Sequence, residues 1–462
     1  AISYGQFARD IGRFAAALRE LQVPRGIAAV GCDDLYVHWL LLRAFERLNV
    51  GTVSCQGVGE AAGLRELLPH VDLVLSETPF AGIERVRQHA ITPEWTRATL
   101  ARPAEEGSVA DSGAPGDPMR LLRSSGTTGR PKHLLVRRRM NEPRLAVYAR
   151  QYRFARGSRY FLTSPFSAGP IYGAATACLR AGGTVVTEPF EGGAGAARAI
   201  AARGITHVTL QPIMLKQVLD ALPPDFAKPA ALHVVTLGSP LSDELSGRAL
   251  ARLATEVTDV FGCNEVGGVS HRRATRRDPF AEVSPEVAVE AVDESDRPVP
   301  AGTEGRLRIR TEGMVEGYLG EPELTHRHFR DGWFYPDDRA VLDGPRRLRV
   351  VGRGGELLNV GGAKARPDDL ENLVMRHVSA DDVGICALPN RDGVDEIYVA
   401  IAGPRHGEPE LLARVQRAFA QQQLGAFYVV ILRAIPRNAG GKIQRAALRE
   451  LVAAAAGRRP PR

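Results

Sequence analysis

Cysteine is scarce in this chain, and no two cysteines stand in a CxxC pair. The five present (Cys32, Cys55, Cys178, Cys263 and Cys386) are scattered over 462 residues. An odd, dispersed set argues against a disulfide framework or zinc knuckle and reads as reduced thiols, with a cytoplasmic location expected. Long apolar runs are also missing; none approaches the ~18 residues of a membrane span. The first 20 residues carry charges throughout and lack a signal-peptide core, so export is not expected. Lysine and arginine number 60 against 53 acidic residues, and the net charge of +7 is mild for this length. No dense basic block with interleaved aromatics accompanies it, so no nucleic-acid partner is expected. The surplus suits polyanionic small molecules or an acidic protein partner, and equally a solvated surface. His326 and His328, in "LTHRHF", form one close pair among 11 histidines. Without cysteine or carboxylate partners at ligand spacing, that pair reads as surface.

What remains is ordinary globular composition, 44% hydrophobic and 24% charged. The length suggests roughly two to four units. "YGQFARDIGRFAAALRELQV" places Tyr4, Phe7, Ala8, Ile11, Phe14, Ala15, Leu18 and Leu21 at helical spacing, an amphipathic helix. Short apolar strands then alternate with helices: "GIAAVGC", "TVSCQ", "HVDLVLSE", "GTVVTEP", "ITHVTLQP" and "LHVVTLG". That order predicts an α/β fold with parallel sheet covered on both faces. From about Val283 shorter alternating strands predict a barrel-like or antiparallel section. Beyond "GRGGE", where glycines suit a hinge, an α+β tail of roughly a hundred residues follows. The expected domains are residues 1–353 and 354–462.

"SSGTTGRPK" (124–132) puts hydroxyls and glycines between two strands. Successive glycines let backbone N–H groups converge, the hydroxyls add donors, and Lys132 adds a point charge, which together suit phosphate oxygens. Pro131 before the lysine separates it from the GxxxxGK[ST] loop, in which a helix starts inside the loop. Taken alone, the stretch is equally a long turn.

It is not alone. "SSGTTGRPK" resembles the phosphate-binding signature of the adenylate-forming superfamily, which includes acyl- and aryl-CoA synthetases and peptide-synthetase adenylation domains. "FGCNE" (261–265) is similar to its YGxTE motif. "GRLRIRTEGMVEGYL", "DGWFYPDD", "VGRGGELLNVGGAKARPDDLE" and "PRNAGGKIQR" resemble further motifs in the family's order. The resemblance spans essentially the whole chain. It implies a large N-terminal domain of doubly wound sheets plus a distorted β-barrel, and a small mobile α+β C-terminal domain acting as a lid.

The activity so implied is attack of a carboxylate on the α-phosphate of ATP, giving acyl-AMP and pyrophosphate, followed by transfer to a thiol of CoA or a 4'-phosphopantetheine carrier protein. Lys442 matches the lysine that bridges carboxylate and α-phosphate, Glu265 the Mg²⁺-holding acid, and Asn264 stands where threonine is usual. Ser125, Gly126, Thr127, Thr128, Gly129 and Lys132 would hold the β- and γ-phosphates, and Gly238, Phe261 and Gly262 would complete the nucleotide site. Asp338 matches the acid that takes the ribose hydroxyls, although Asp337 replaces the family's glycine; Arg353 matches an arginine that assists there. His133 also replaces a glycine. Phe166, Tyr172, His207 and Gly268 are candidates for the acyl pocket, an aromatic-plus-small set suited to an aryl or short acyl acid. No Asp lies between Thr163 and Gly173 to pair with an ammonium group, which disfavours an α-amino acid. Gly361, Gly362 and Lys364 match the segment along the route of the thiol arm. The competing readings are amino-acid adenylation, an amine acceptor, and an inactive nucleotide-binding relative. A monomer or homodimer is expected.

Overall fold

The first apolar stripe forms the helix Tyr4–Glu20 in a computed structural model that describes residues 1–55, 65–80, 86–104, 113–124, 132–238, 241–274, 278–353, 358–360, 363–365, 367–420, 426–436 and 443–457. The Ser3 hydroxyl accepts the Gln6 N–H at 3.2 Å and caps its start. Phe14, Ala15 and Leu18 are wholly buried, each large apolar side chain stabilising by about 1.5–3 kcal/mol. Tyr4 and Ala8, expected in the stripe, stay exposed. The Tyr4 hydroxyl instead donates to the Leu179 carbonyl at 2.8 Å.

The alternating strands divide between two sheets, a division their spacing does not announce. One has the order Arg87–Ala90, Leu73–Ser76, Ile27–Gly31, Gly51–Ser54, Pro118–Ser124, Lys132–Arg137. Its pairings are parallel except the last, where Pro118–Ser124 and Lys132–Arg137 run antiparallel. The second holds thirteen strands of the described residues. Thr184–Val186, Arg159–Phe161, His207–Leu210, His233–Leu237 and Glu256–Cys263 form its parallel half. Parallel strands require long crossovers, here helices, and are buried on both faces; Val208, Val234, Val235 and Val257 are fully inaccessible.

Gly267–Arg273 reverses direction against Glu256–Cys263, and Ala281–Val283, Arg347–Arg353, Asp338–Leu342 and Glu304–Thr311 continue the sheet antiparallel. The chain thus has a large sheet-rich N-terminal domain and a smaller C-terminal one. In the latter, Asp382–Pro389 pairs antiparallel with Asp395–Ala402, which pairs parallel with Phe427–Leu432. The helices Pro367–His377 and Glu408–Phe419 cover this sheet, with Val374, Leu411 and Val415 in one cluster. The expected boundary, between residues 353 and 354, opens onto residues 354–357, which lie outside the described residues.

The two parts meet at the turn Asn390–Val394. Asp392 pairs with Arg248 and lies 3.7 Å from Lys216 Nζ, and its carbonyl accepts from the Ser242 hydroxyl. Val394 joins the apolar cluster of Leu219 and Leu245.

Candidate active site

In a parallel sheet, ligands bind beyond the carboxyl ends of the strands, where the backbone opens into a crevice. A cavity of about 280 Å³ lies there, lined by Gln211 after His207–Leu210, Leu237 and Gly238 after His233–Leu237, and Val260, Gly262 and Cys263 on Glu256–Cys263. Gly238 has φ +95°, open to glycine without strain. The chain then turns through Asn264, Glu265 and Val266 and returns as Gly267–Arg273, so the turn sits at the cavity mouth.

That turn is held from behind by Arg144, a buried residue of the helix Arg138–Tyr152. Its Nη2 donates to the carbonyls of Asn264 (2.9 Å) and Glu265 (3.2 Å), and its Nε to that of Gly313 (2.7 Å). Asn264 Nδ2 donates to the Arg123 carbonyl at 2.9 Å, so one of its two N–H groups is already committed to the neighbouring sheet.

Glu265 is 6% exposed. Its carboxylate accepts the Tyr318 hydroxyl at 3.1 Å, and the Lys132 ammonium stands 4.6 Å from the centroid of the same ring. A buried cation over a ring face is a favourable charge–quadrupole contact. Burial, and next the charge of Glu265, push the Tyr318 hydroxyl far above its usual pKa, so it remains a donor. Tyr318 therefore joins the base of Lys132 to the acid of Glu265.

His328 meets Tyr318 edge-on at 5.8 Å. The expectation that it lies on the surface is corrected: it is 4% exposed and lines the cavity, while His326 is exposed. Its place at the end of the helix Pro322–His328 turns it inward, and its Nδ1 donates to the Tyr335 carbonyl at 2.9 Å. Burial lowers its pKa, opposed by Asp337, whose carboxylate is 3.9 Å away. Asp337 itself has φ +64° and lines the cavity. Asp338 is buried at the start of Asp338–Leu342, in register with Arg353.

The cavity thus gathers Lys132, Gly238, Gly262, Asn264, Glu265 and Gly268 from the sequence-derived set. Phe261, Phe166, Tyr172 and His207 do not line it. Phe166 packs on Trp39 with ring centroids 5.0 Å apart, and the Tyr172 hydroxyl donates to Glu46. His207 packs against Phe154 at 4.9 Å and its Nδ1 meets Thr206 Oγ1 at 2.8 Å. Phe261 is half-buried against the cluster of Val269 and Val283. Their aromatic character serves packing. His133 is buried beside His70, ring centroids 5.4 Å apart, and burial lowers its pKa to about 4. Lys364 lies on the short strand Ala363–Ala365. Residues 125–129, Gly361, Gly362 and Lys442 lie outside the described residues. Sequence reading missed Arg144, Tyr148, Gln151, Tyr152 and Tyr318 as site residues; the first four share one helix face at positions i, i+4, i+7 and i+8.

Similarity to known proteins bears on the same residues. The family model described as AMP-binding enzyme matches residues 55–319. "4-coumarate--CoA ligase-like 9" of Oryza sativa subsp. japonica is 27% identical over 97% of this chain and 87% of its own length. "Indoleacetate--CoA ligase" of Aromatoleum aromaticum is 26% identical over 98% of this chain and 93% of its own. Among solved structures, the amide bond synthetase McbA from Marinactinospora thermotolerans shares the fold, with a TM-score of 0.77 at 22% identity over 97% of this chain and 94% of that one. The matched segment covers more than half of the chain and carries Lys132, Asn264, Glu265 and Tyr318, so the chain belongs to the AMP-binding enzyme family.

Proposed function

We propose that this chain is an AMP-forming acid–thiol ligase that joins an aryl or short acyl carboxylic acid to a thiol. A carboxylate oxygen forms a bond to the α-phosphorus of ATP as the bond to the β-phosphate oxygen breaks, and pyrophosphate leaves. The thiol sulfur of CoA or of a phosphopantetheine arm then takes the acyl carbon, releasing AMP. The observation that carries this reading is the buried Lys132–Tyr318–Glu265 arrangement at the carboxyl ends of the parallel strands. Phosphoryl transfer depends chiefly on fixed charge and position, and a cavity excluding water strengthens both.

Lys132 supports the triphosphate, with the hydroxyls and glycines of 125–129 assigned to it by their sequence alone. A Mg²⁺ ion would take the Glu265 carboxylate together with substrate oxygens, its usual preference, and would supply charge neutralisation at the phosphates. Tyr318 holds that carboxylate by its hydroxyl, and Arg144 fixes the turn that presents it. Asp338 takes the ribose hydroxyls, and Lys442 brings its ammonium to the oxygens at the α-phosphate.

Acid-dependent exchange of pyrophosphate into ATP tests the reading. Exchange should require an added carboxylic acid and fall at least a hundredfold in Lys442→Ala, about 3 kcal/mol of transition-state stabilisation. Exchange independent of acid, or untouched by that substitution, contradicts it.

A further inference from the structure

We infer that the side-chain amide of Gln151 reads a hydroxyl on the aromatic ring of the acid, at the end remote from its carboxylate. This deepens the acid-activating reading above and rests on it. Gln151 is 1% exposed and lines the cavity, and neither its Oε1 nor its Nε2 has a hydrogen-bond partner. Burying an unpartnered amide costs roughly 1–3 kcal/mol, and such groups are rare in native proteins. The hydroxyls of Tyr152 and Tyr160 are committed elsewhere, both meeting Thr209 Oγ1, at 2.8 and 2.9 Å.

The fold makes room for this amide. A β-carbon added to Gly268 would stand 2.9 Å from Gln151 Oε1 and 3.0 Å from Nε2, so only glycine there leaves the amide its place against the cavity wall. The chemistry of the amide selects the ligand. One hydroxyl donates to Oε1 and accepts from Nε2, satisfying both atoms at once. A carboxylate only accepts, an ammonium only donates, and a hydrocarbon does neither.

Position selects the rest. Arg144 grips the Asn264–Glu265 turn, and Gln151, seven residues later on the same helix, meets the strand that leaves this turn at Gly268. An aryl acid carries its ring substituent several ångströms from the carboxylate, whereas a two- or three-carbon acid has no atom at that remove. Tyr148 and Tyr152 from the same helix face line the cavity together with Gly169 and Gly268, an aromatic-plus-small lining that suits a ring.

The test is pyrophosphate exchange by the full chain with matched pairs: 4-hydroxybenzoate and benzoate, 3-(4-hydroxyphenyl)propanoate and 3-phenylpropanoate. Wild type should favour the hydroxylated member of at least one pair by about tenfold to a hundredfold in kcat/KM, because rejecting it leaves the amide unpaired. In Gln151→Leu that ratio should fall to near one, and Gln151→Glu, which keeps the acceptor, should retain part of it. Thermal unfolding checks both variants, and Gln151→Met serves if the leucine does not fold. A wild-type ratio near one overturns the inference, as does an equal loss on both acids in every variant, the result for an amide that only holds a buried water. Exchange supported by short aliphatic acids but by neither aryl pair overturns the inference and leaves acid activation standing. No exchange with any acid overturns both.

Discussion

His38 offers a pH-dependent test of the N-terminal sheet. It is fully buried on the helix Leu35–Arg47, its Nδ1 3.0 Å from the Cys32 carbonyl and its Nε2 3.0 Å from Ser54 Oγ. A carbonyl only accepts, so Nδ1 carries the proton. Arg120 Nη2 donates to Ser54 Oγ at 3.1 Å, leaving the serine hydroxyl to donate to Nε2. Protonating Nε2 would break that bond and set a second cation near Arg120. Burial first, and Arg120 next, accordingly depress the pKa from 6.5 to about 3. Because the folded value lies below the unfolded one, the unfolded chain takes up the proton first as pH falls. The stability is complete above pH 6.5 and is lost progressively toward pH 3. Between pH 7 and 5 the loss from this one group is about 2 kcal/mol, from 1.36 kcal/mol per unit of pKa difference. His133, His207 and His233, each lowered to about 4 by burial, act with the same sign, so wild type should lose more in total. Urea unfolding at pH 7 and pH 5, followed by the fluorescence of Trp39 and Trp95, which lie in or against the same apolar cluster, measures the loss. His38→Gln cannot titrate, and its loss over that interval should be smaller than wild type's by about 2 kcal/mol. Equal losses in the two proteins would refute the tautomer argument, as would an NMR titration showing His38 half-protonated above pH 5.

Two further substitutions address the cavity. Tyr318→Phe keeps a ring for Lys132 but removes the only donor to Glu265 among the described residues; a hydrogen bond to a buried charge is worth about 1.5–3 kcal/mol, so pyrophosphate exchange should fall roughly tenfold or more and demand more Mg²⁺. An unchanged Mg²⁺ dependence would separate Tyr318 from the carboxylate's function. Asp337→Gly relieves a side chain held at φ +64° and should raise stability by up to about 1 kcal/mol in thermal unfolding. It also removes the carboxylate 3.9 Å from His328, whose pKa should drop further in an NMR titration.

How much of this was legible beforehand depends on the range of the interaction concerned. Apolar runs such as "LHVVTLG" and "ITHVTLQP" announce buried parallel strands because every residue of such a strand meets a covered face, a local property of the string. The division of the strands between two sheets was not legible, because it depends on long crossovers that leave no mark on strand composition. Lys132, Asn264 and Glu265 stand out in the sequence because motif spacing is a chain-order property, and the two sheets bring both motifs to one mouth. Asp337 stands out in the sequence as a second carboxylate where the family has glycine, but its positive φ is a backbone fact that only the turn into Asp338–Leu342 reveals.

The candidates for the acyl pocket show where composition and tertiary packing part. Phe166, Tyr172 and His207 read from the sequence as pocket-lining aromatic residues, yet an aromatic side chain gains as much from a neighbouring ring as from a ligand. Each is engaged by protein instead: Phe166 by Trp39, Tyr172 by Glu46, His207 by Phe154. Gln151 attracts no notice in "YARQYRF", where it reads as one more polar residue on a helix. Its significance arises only from three tertiary facts together: burial, an unpaired amide, and a glycine opposite that leaves it space. For an anion-handling half of a site, charge and glycine spacing are written along the chain, because phosphate must be met by several residues of one loop. For the half that selects an organic acid, one side chain from a remote helix suffices, and nothing in its neighbours along the chain marks which one. Substrate choice in this enzyme is therefore to be sought in polar atoms the fold leaves unpaired, before its aromatic residues.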